Sequence, residues 1–188
     1  MTAATSDAER LLREAGAMLE GHFQLSSGRH SGLYIEKFRL LEHPPQTEAL
    51  CEMIAGWGKT LEPQVCAGPT TGGIILSYET ARHLGLRSII AEKQEGGGRA
   101  FERGFTIGPG ERVIVIDDVL TTGGSVRDVL DAVRKAGGEP VGVGVIIDRS
   151  GGKVDFGLPL FACLKLDLPT YEPGACPLCD QGLELTLT

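Results

Sequence analysis

Residues 113–125 read VIVIDDVLTTGGS, from Val113 to Ser125, and their order of parts decides the fold. Val113 to Ile116 are consecutive apolar, β-branched residues, the pattern of a strand covered on both faces. Asp117 and Asp118 follow directly. Thr121-Thr122-Gly123-Gly124-Ser125 is a small-residue loop, and Val126, Val129, Leu130 and Val133 then recur at helical spacing. A loop that opens a helix can aim backbone N–H groups at a phosphate, aided by the positive end of the helix dipole. Gly123 and Gly124 let the backbone approach closely, and the hydroxyls of Thr121, Thr122 and Ser125 add donors. The carboxylates repel phosphate but suit sugar hydroxyls or a hydrated metal. Together these parts describe a phosphorylated sugar lying across the end of a strand.

Working outward, residues 60–147 alternate strand and helix patterns, which implies a doubly wound parallel sheet. Val65 to Ala67 is a short strand. Gly68-Pro69-Thr70-Thr71-Gly72-Gly73 then forms a second small-residue loop before a helix to Leu84, suited to a second anion or simply a tight connection. Arg87 to Ala91 is the next strand. Glu92 to Gly104 is polar, contains three consecutive Gly, and carries Lys93, Arg99 and Arg103. Basic groups on a mobile stem suit a lid over a polyanion. The helix after Ser125 is expected to stop at Gly137-Gly138, and Val141 to Ile147 is a further buried strand ending at Asp148-Arg149. Right-handed crossovers bring the loops beginning near 68, 92, 117 and 149 to one sheet edge.

The flanks read differently. Ser6 to Glu20 is predicted as one amphipathic helix, with Ser6 and Glu9 as a capping box and Gly21 ending it. Phe23 to Leu41 is a polar loop running into strand-like residues, in which Arg29 and His30 taken alone read as solvated. Pro45 is placed to open a helix carrying Leu50, Ile54 and Trp57 on one face. Phe161 to Leu168 is expected as a last strand in a small cap region. Cys176-Pro177-Leu178-Cys179 reads as an ordinary turn, or as half of a metal site completed by a second subunit. A structural zinc site takes four ligands, and the other cysteines are scattered at 51, 66 and 163.

Composition narrows the class. The 188 residues are 41% hydrophobic and 23% charged, which suits one globular domain with a substantial core. The net charge of −7 disfavours a general nucleic-acid surface. No apolar run approaches the roughly 20 residues of a membrane span. No secretory signal is visible, and five Cys without such a signal fit a reducing cytoplasm.

The stretch 113–125 resembles the phosphoribosyl-diphosphate (PRPP) motif of the type I phosphoribosyltransferases. Ser27, Gly28, Ser31, Tyr34 and Ile35, together with the loop closed by Arg103-Gly104-Phe105 and with Arg149, are most similar to the orotate branch. That resemblance implies a core of about 43–149 under a small hood built from about 1–42 and 150–188. It implies PRPP binding by Asp117, Asp118, Val119, Leu120, Thr121, Thr122, Gly123, Gly124, Ser125, Thr71, Gly72 and Lys93. Orotate would lie against Thr121, Arg149, Tyr34 and Ile35. Catalysis would rest on Asp117, Asp118 and a lid cation, Lys93 before Arg103. Mg²⁺ would be held chiefly through PRPP, with Asp117 and Asp118 reaching it via water, and the enzyme would be a homodimer. Many relatives carry Lys where this chain has Ser26, and some carry Lys where it has Gly72. Two rivals share the motif: a purine phosphoribosyltransferase for adenine or xanthine, and a non-enzymatic PRPP-sensing regulator. The acidic balance argues against the regulator, and only Phe23–Ile35 and Arg149 separate orotate from a purine.

Overall fold

The computed structural model describes residues 6–25 and 27–188; Ser26 lies outside the described residues. The expected doubly wound sheet is present, with six strands. They are β3 (Val65–Pro69), β4 (Arg87–Lys93), β5 (Arg99–Phe101), β6 (Arg112–Leu120), β7 (Glu139–Asp148) and β8 (Leu160–Lys165), in the order β5-β4-β3-β6-β7-β8. All neighbours are parallel except β4 and β5, which form an antiparallel hairpin. Helices α3 (Pro44–Gly58) and α4 (Gly72–Leu84) cover one face, and α5 (Gly124–Lys135) covers the other.

Strand β6 shows why its apolar run is continuous. Side chains alternate across a strand. Ile114 and Ile116 pack with Leu50, Cys51, Ile54 and Leu76 of α3 and α4, whereas Val113 and Val115 pack with Val126, Val129, Leu130 and Val133 of α5. All four strand residues are fully buried. Each such side chain contributes about 1.5–3 kcal/mol through burial. The strand runs four residues beyond Ile116, so Asp117 and Asp118 are part of it rather than of the loop that follows. Pairing continues there because Asp117 lies opposite Val145 and Leu120 opposite Asp148 on β7.

Helix α3 sits close on the sheet because β7 offers glycine beneath it. A Cβ at Gly144 would lie 2.5 Å from Ile54 Cγ2 and 3.2 Å from Ile116 Cδ1. Gly144→Val is therefore expected to cost about 1–3 kcal/mol by overpacking. The check is a lowered urea midpoint at unchanged slope.

The hood is a second sheet of four strands, β10-β1-β2-β9. Strand β1 (Met18–Gln24) pairs antiparallel with β2 (His30–Ile35), β9 (Thr170–Tyr171) adds to β2, and β10 (Thr186–Leu187) adds parallel to β1. A short helix, α2 (Lys37–Leu41), leads from β2 to the core. The expected single helix over 6–20 is corrected: α1 is Asp7–Glu14. Ser6 caps it by accepting from the Glu9 N–H at 3.2 Å. Gly16, at φ +63°, takes the left-handed turn that ends it, and Met18 and Leu19 then pair with Ile35 and Tyr34. Ala15 and Met18 are both buried, which mimicked helical spacing across the break.

Two further expectations change. Residues 161–168 were placed in the hood, but β8 is parallel to β7 and completes the core sheet, so the C-terminal contribution to the hood begins at β9. Of the two residues expected to be solvated, His30 is buried, and Arg29 is half-buried and held in place. Arg29 donates to Thr170 Oγ1 at 2.8 Å and to the Thr170 carbonyl at 2.7 Å, and pairs with Glu172, while His30 is 4% exposed. Tertiary pairing with residues some 140 positions away fixes them, which local composition does not show.

Candidate active site

The carboxylates stand at the carboxyl edge of β6. Asp117 and Asp118 are 7% and 8% exposed. The Asp118 N–H donates to Asp117 Oδ1 at 2.9 Å, and the Val119 N–H donates to Asp118 Oδ1 at 2.7 Å. Burial first, and the neighbouring Asp118 charge second, push the Asp117 carboxyl up to about 6; the Asp118 N–H, Lys37 and Ser125 oppose this. Lys37 Nζ lies 2.8 Å from Asp118 Oδ2, so a cation from the hood reaches the core pair. Lys37 was missed in the sequence. It is the sole Lys of residues 1–42, but its target is some 80 residues away.

Two helix N-termini flank the pair without side-chain caps. Gly123, at φ +79°, is the N-cap residue of α5, and Thr71 is that of α4; neither helix has a side-chain cap hydrogen bond. Their first N–H groups are left for an anion. A Cβ at Gly123 would come within 2.9 Å of Val154 and 3.1 Å of Phe156, so glycine is needed there for space as well as for φ. A Cβ at Gly72 would strike Asp118 Oδ2, and one at Gly68 would strike the Gly73 carbonyl. Glycine in the 68–73 loop thus brings the N-terminus of α4 against the acidic pair. The Thr70–Thr71 peptide is cis. Thr121 and Thr122 are exposed at the start of the other loop, Gly124 is exposed, and Ser125 and Val119 are half-buried. Leu120, expected to touch PRPP, is 1% exposed and belongs to the core, and its carbonyl accepts from the Arg149 N–H at 2.8 Å.

Arg99 joins the two loops. It donates to Thr70 Oγ1 at 3.0 Å, to the Ala91 carbonyl at 2.9 Å and to Ser125 Oγ at 3.2 Å, and its buried Nε–H has no partner among the described residues. It was one of three cations seen in the 92–104 segment, and its bridging place was not foreseen. The other two stand apart. Lys93 is exposed at the end of β4, and Arg103 is held in a two-point pair with Glu92, at 2.6 and 3.0 Å. The segment itself begins as the β4–β5 hairpin, with Gly96, Gly97 and Gly98 at positive φ in its turn.

On the hood side, Tyr34 and Ile35 point to opposite faces of β2. Ile35 is buried and lines a small apolar cavity with Lys37, Asp118, Val119, Ile146 and Ile147. Tyr34 packs on Phe23, ring centroids 5.6 Å apart. Arg149 follows β7, its N–H held by the Leu120 carbonyl at 2.8 Å. Its guanidinium is half-buried and, among the described residues, has no ion pair or side-chain hydrogen bond. Burial lowers its pKa, and the nearby Tyr34 acts in the opposite direction. The structure thus brings together Asp117, Asp118, Thr71, Gly72, Ser125 and Arg99, and sets Tyr34 close to Arg149. It leaves Lys93 and Arg103 outside this group.

A buried acidic pair between two uncapped helix N-termini, at the carboxyl edge of a parallel sheet, is an arrangement for a sugar carrying phosphates at both ends. The phosphoribosyl transferase domain model matches residues 40–157. The orotate phosphoribosyltransferase of Thermotoga maritima is 49% identical over 175 residues, covering 93% of both chains. That of Desulforamulus reducens is 47% identical over 173 residues, covering 92% of this chain and 90% of its own. The crystal structure of orotate phosphoribosyltransferase from Aeropyrum pernix superposes with a TM-score of 0.72 at 28% identity, covering 84% of this chain and 92% of that one. The chain belongs to the orotate phosphoribosyltransferase family.

Proposed function

We propose that this chain transfers the phosphoribosyl group of PRPP to orotate, giving orotidine 5′-monophosphate and diphosphate, in the synthesis of pyrimidine nucleotides. As the bond between the anomeric carbon and diphosphate breaks, the ring gains positive charge and the leaving group gains negative charge. Asp117 and Asp118 hold the ribose hydroxyls and favour the cationic ring. The N-terminus of α5, with Thr121 to Ser125, anchors the 5′-phosphate, and the N-terminus of α4, with Thr71 and Gly72, receives the diphosphate. Arg99 keeps these two loops at a fixed separation, and Lys93 and Arg103 lie on the hairpin positioned to close over the leaving group. Hard carboxylate oxygens beside two phosphate subsites fit Mg²⁺. Asp117 and Asp118 would hold it through water, and when bound it neutralises charge on the diphosphate. The family's activity and the free, non-disulfide state of all five cysteines suit a cytoplasmic enzyme, which we take to be a homodimer of single-domain subunits.

The observation that carries the choice of base is Arg149. A half-buried guanidinium without a carboxylate partner is a receptor for an anion, and orotate brings a carboxylate together with pyrimidine carbonyls. Tyr34 stands beside it to cover the ring. The test is diphosphate release with PRPP and Mg²⁺ when orotate, uracil, adenine, guanine and xanthine are offered separately. Release with orotate alone is expected. Arg149→Ala should raise the KM for orotate about 10–100-fold, the loss of a charge-assisted hydrogen bond, with the KM for PRPP little changed. Release with a purine would overturn the assignment of the base, and binding of PRPP without turnover on any base would overturn the enzyme.

A further inference from the structure

Away from the substrate edge, the hood gathers four side chains whose chemistry the transfer reaction does not use. His22 and His30 of the β1–β2 hairpin meet Cys176 and Cys179 of the C-terminal segment, and one ligand atom from each lies within 4.8 Å of the others. His22 Nε2 is 2.9 Å from His30 Nδ1, 3.6 Å from Cys176 Sγ and 3.7 Å from Cys179 Sγ, and His30 Nδ1 is 3.4 Å from Cys179 Sγ. Around a tetrahedral zinc ion, the metal–ligand lengths of about 2.3 Å to sulfur and about 2.0–2.1 Å to nitrogen give edges of about 3.6 Å between S and N and about 3.3 Å between two N. The observed spacings match the S–N edges, and the two nitrogens need to part by only a few tenths of an ångström.

We propose that His22, His30, Cys176 and Cys179 form a structural zinc site that clamps the C-terminal segment to the hood hairpin. His22 Nδ1 lies 2.9 Å from the Leu183 carbonyl, which can only accept, so Nδ1 carries the proton and Nε2 turns its lone pair to the cluster. His22, His30 and Cys176 are 3%, 4% and 1% exposed and Cys179 is exposed at the rim; four protein donors leave no open position, which is the closed character of a structural rather than a catalytic centre. The backbone also serves it. Strand β1 has a bulge, in which Gly21 and His22 together oppose Gly32, and a bulge re-aims a side chain; here it turns His22 inward next to the inward Phe23. Thiolate and imidazole select zinc among the common divalent ions of a cell, and a reducing compartment keeps the thiols available. A clamp suits the hood, because β9 and β10 are two residues each and strands this short hold weakly by pairing alone. The second ligand pair of the CxxC therefore comes from the same chain, and no partner subunit is required.

The test is metal content of untagged full-length protein, purified without chelating resins and assayed by mass spectrometry. About one zinc per chain is expected. Cys176→Ser with Cys179→Ser should lose it, and hydrogen exchange should speed up in residues 170–187 and 18–35 while β6 and β7 stay protected. Should that variant fail to fold, titration of the wild-type thiols settles the matter: release of zinc on mercurial modification of Cys176 and Cys179 is expected. Zinc-free wild-type protein from zinc-replete medium, a Cys176–Cys179 disulfide in freshly lysed cells, or unchanged metal content in the variant would each overturn the proposal. The readout is independent of which base is the substrate, so failure of the site and failure of the proposed activity are distinguishable.

Discussion

Asp118→Asn is expected to lower kcat by about 10²–10³-fold, the usual cost of losing one preorganised charge at a reacting centre. The fold should survive, because the asparagine oxygen can still accept the Val119 N–H and the lost partner, Lys37, is partly solvated. Asp117→Asn separates stability from rate. With the Asp117 carboxyl held at about 6 against an ordinary 3.8, the folded chain binds more protons than the unfolded chain between about pH 4 and 6. Wild-type stability therefore falls as pH rises through that window and is level above it. The neutral amide removes this penalty, so at pH 7 Asp117→Asn should raise the unfolding free energy, by up to about 3 kcal/mol. It should also flatten the dependence on pH. The same residue should give kcat/KM of the free wild-type enzyme an acid limb near pH 6 that vanishes in the variant, at a lower overall rate. Unchanged turnover in Asp118→Asn would falsify the role given to the pair. A lower midpoint for Asp117→Asn at pH 7 would contradict the penalty attributed to its burial.

Arg99→Met should raise the KM for PRPP about 10–100-fold. The guanidinium contacts both loops proposed to bind phosphate, through Thr70 and Ser125, and charge-assisted hydrogen bonds are worth about 1.5–3 kcal/mol each. Arg99→Lys should recover little, since one ammonium on a flexible stem cannot span the Thr70 and Ser125 hydroxyls together. Arg103→Met, which only releases Glu92 at the surface, should leave the KM for PRPP within a few-fold of wild type while its effect on kcat reports whether the hairpin closes. A KM for PRPP insensitive to Arg99→Met would remove the bridge from the account.

The core sheet and the loops on either side of Asp117 and Asp118 were readable because they are local. A β-branched run, an acidic pair, a glycine loop and a helix follow one another within 13–21 residues. What escaped depends on distant partners. Helix α1 was drawn too long because Ala15 and Met18 are both buried for different reasons, one closing a helix and one pairing with Ile35. Strand β8 was assigned to the hood because nothing in its own residues announces a parallel partner in β7. His30 and Arg29 looked like loop residues until β9 arrived beside them. Arg99 and Lys37 were two cations among eighteen, and their meaning lies in what they span: two loops for one, hood to core for the other.

The hood sheet draws one strand pair from residues 18–35 and the other from residues 170–187, with the whole core sheet encoded between them. On a ribosome, the strands that carry the phosphate loops can therefore pair while the base-covering hairpin still waits for its edges. The nascent chain would then pass through a stage that has the proposed place for the sugar phosphate but not the half proposed to cover the base. Slow docking of β9 and β10 should then appear as late gain of orotate turnover in protein that already binds PRPP.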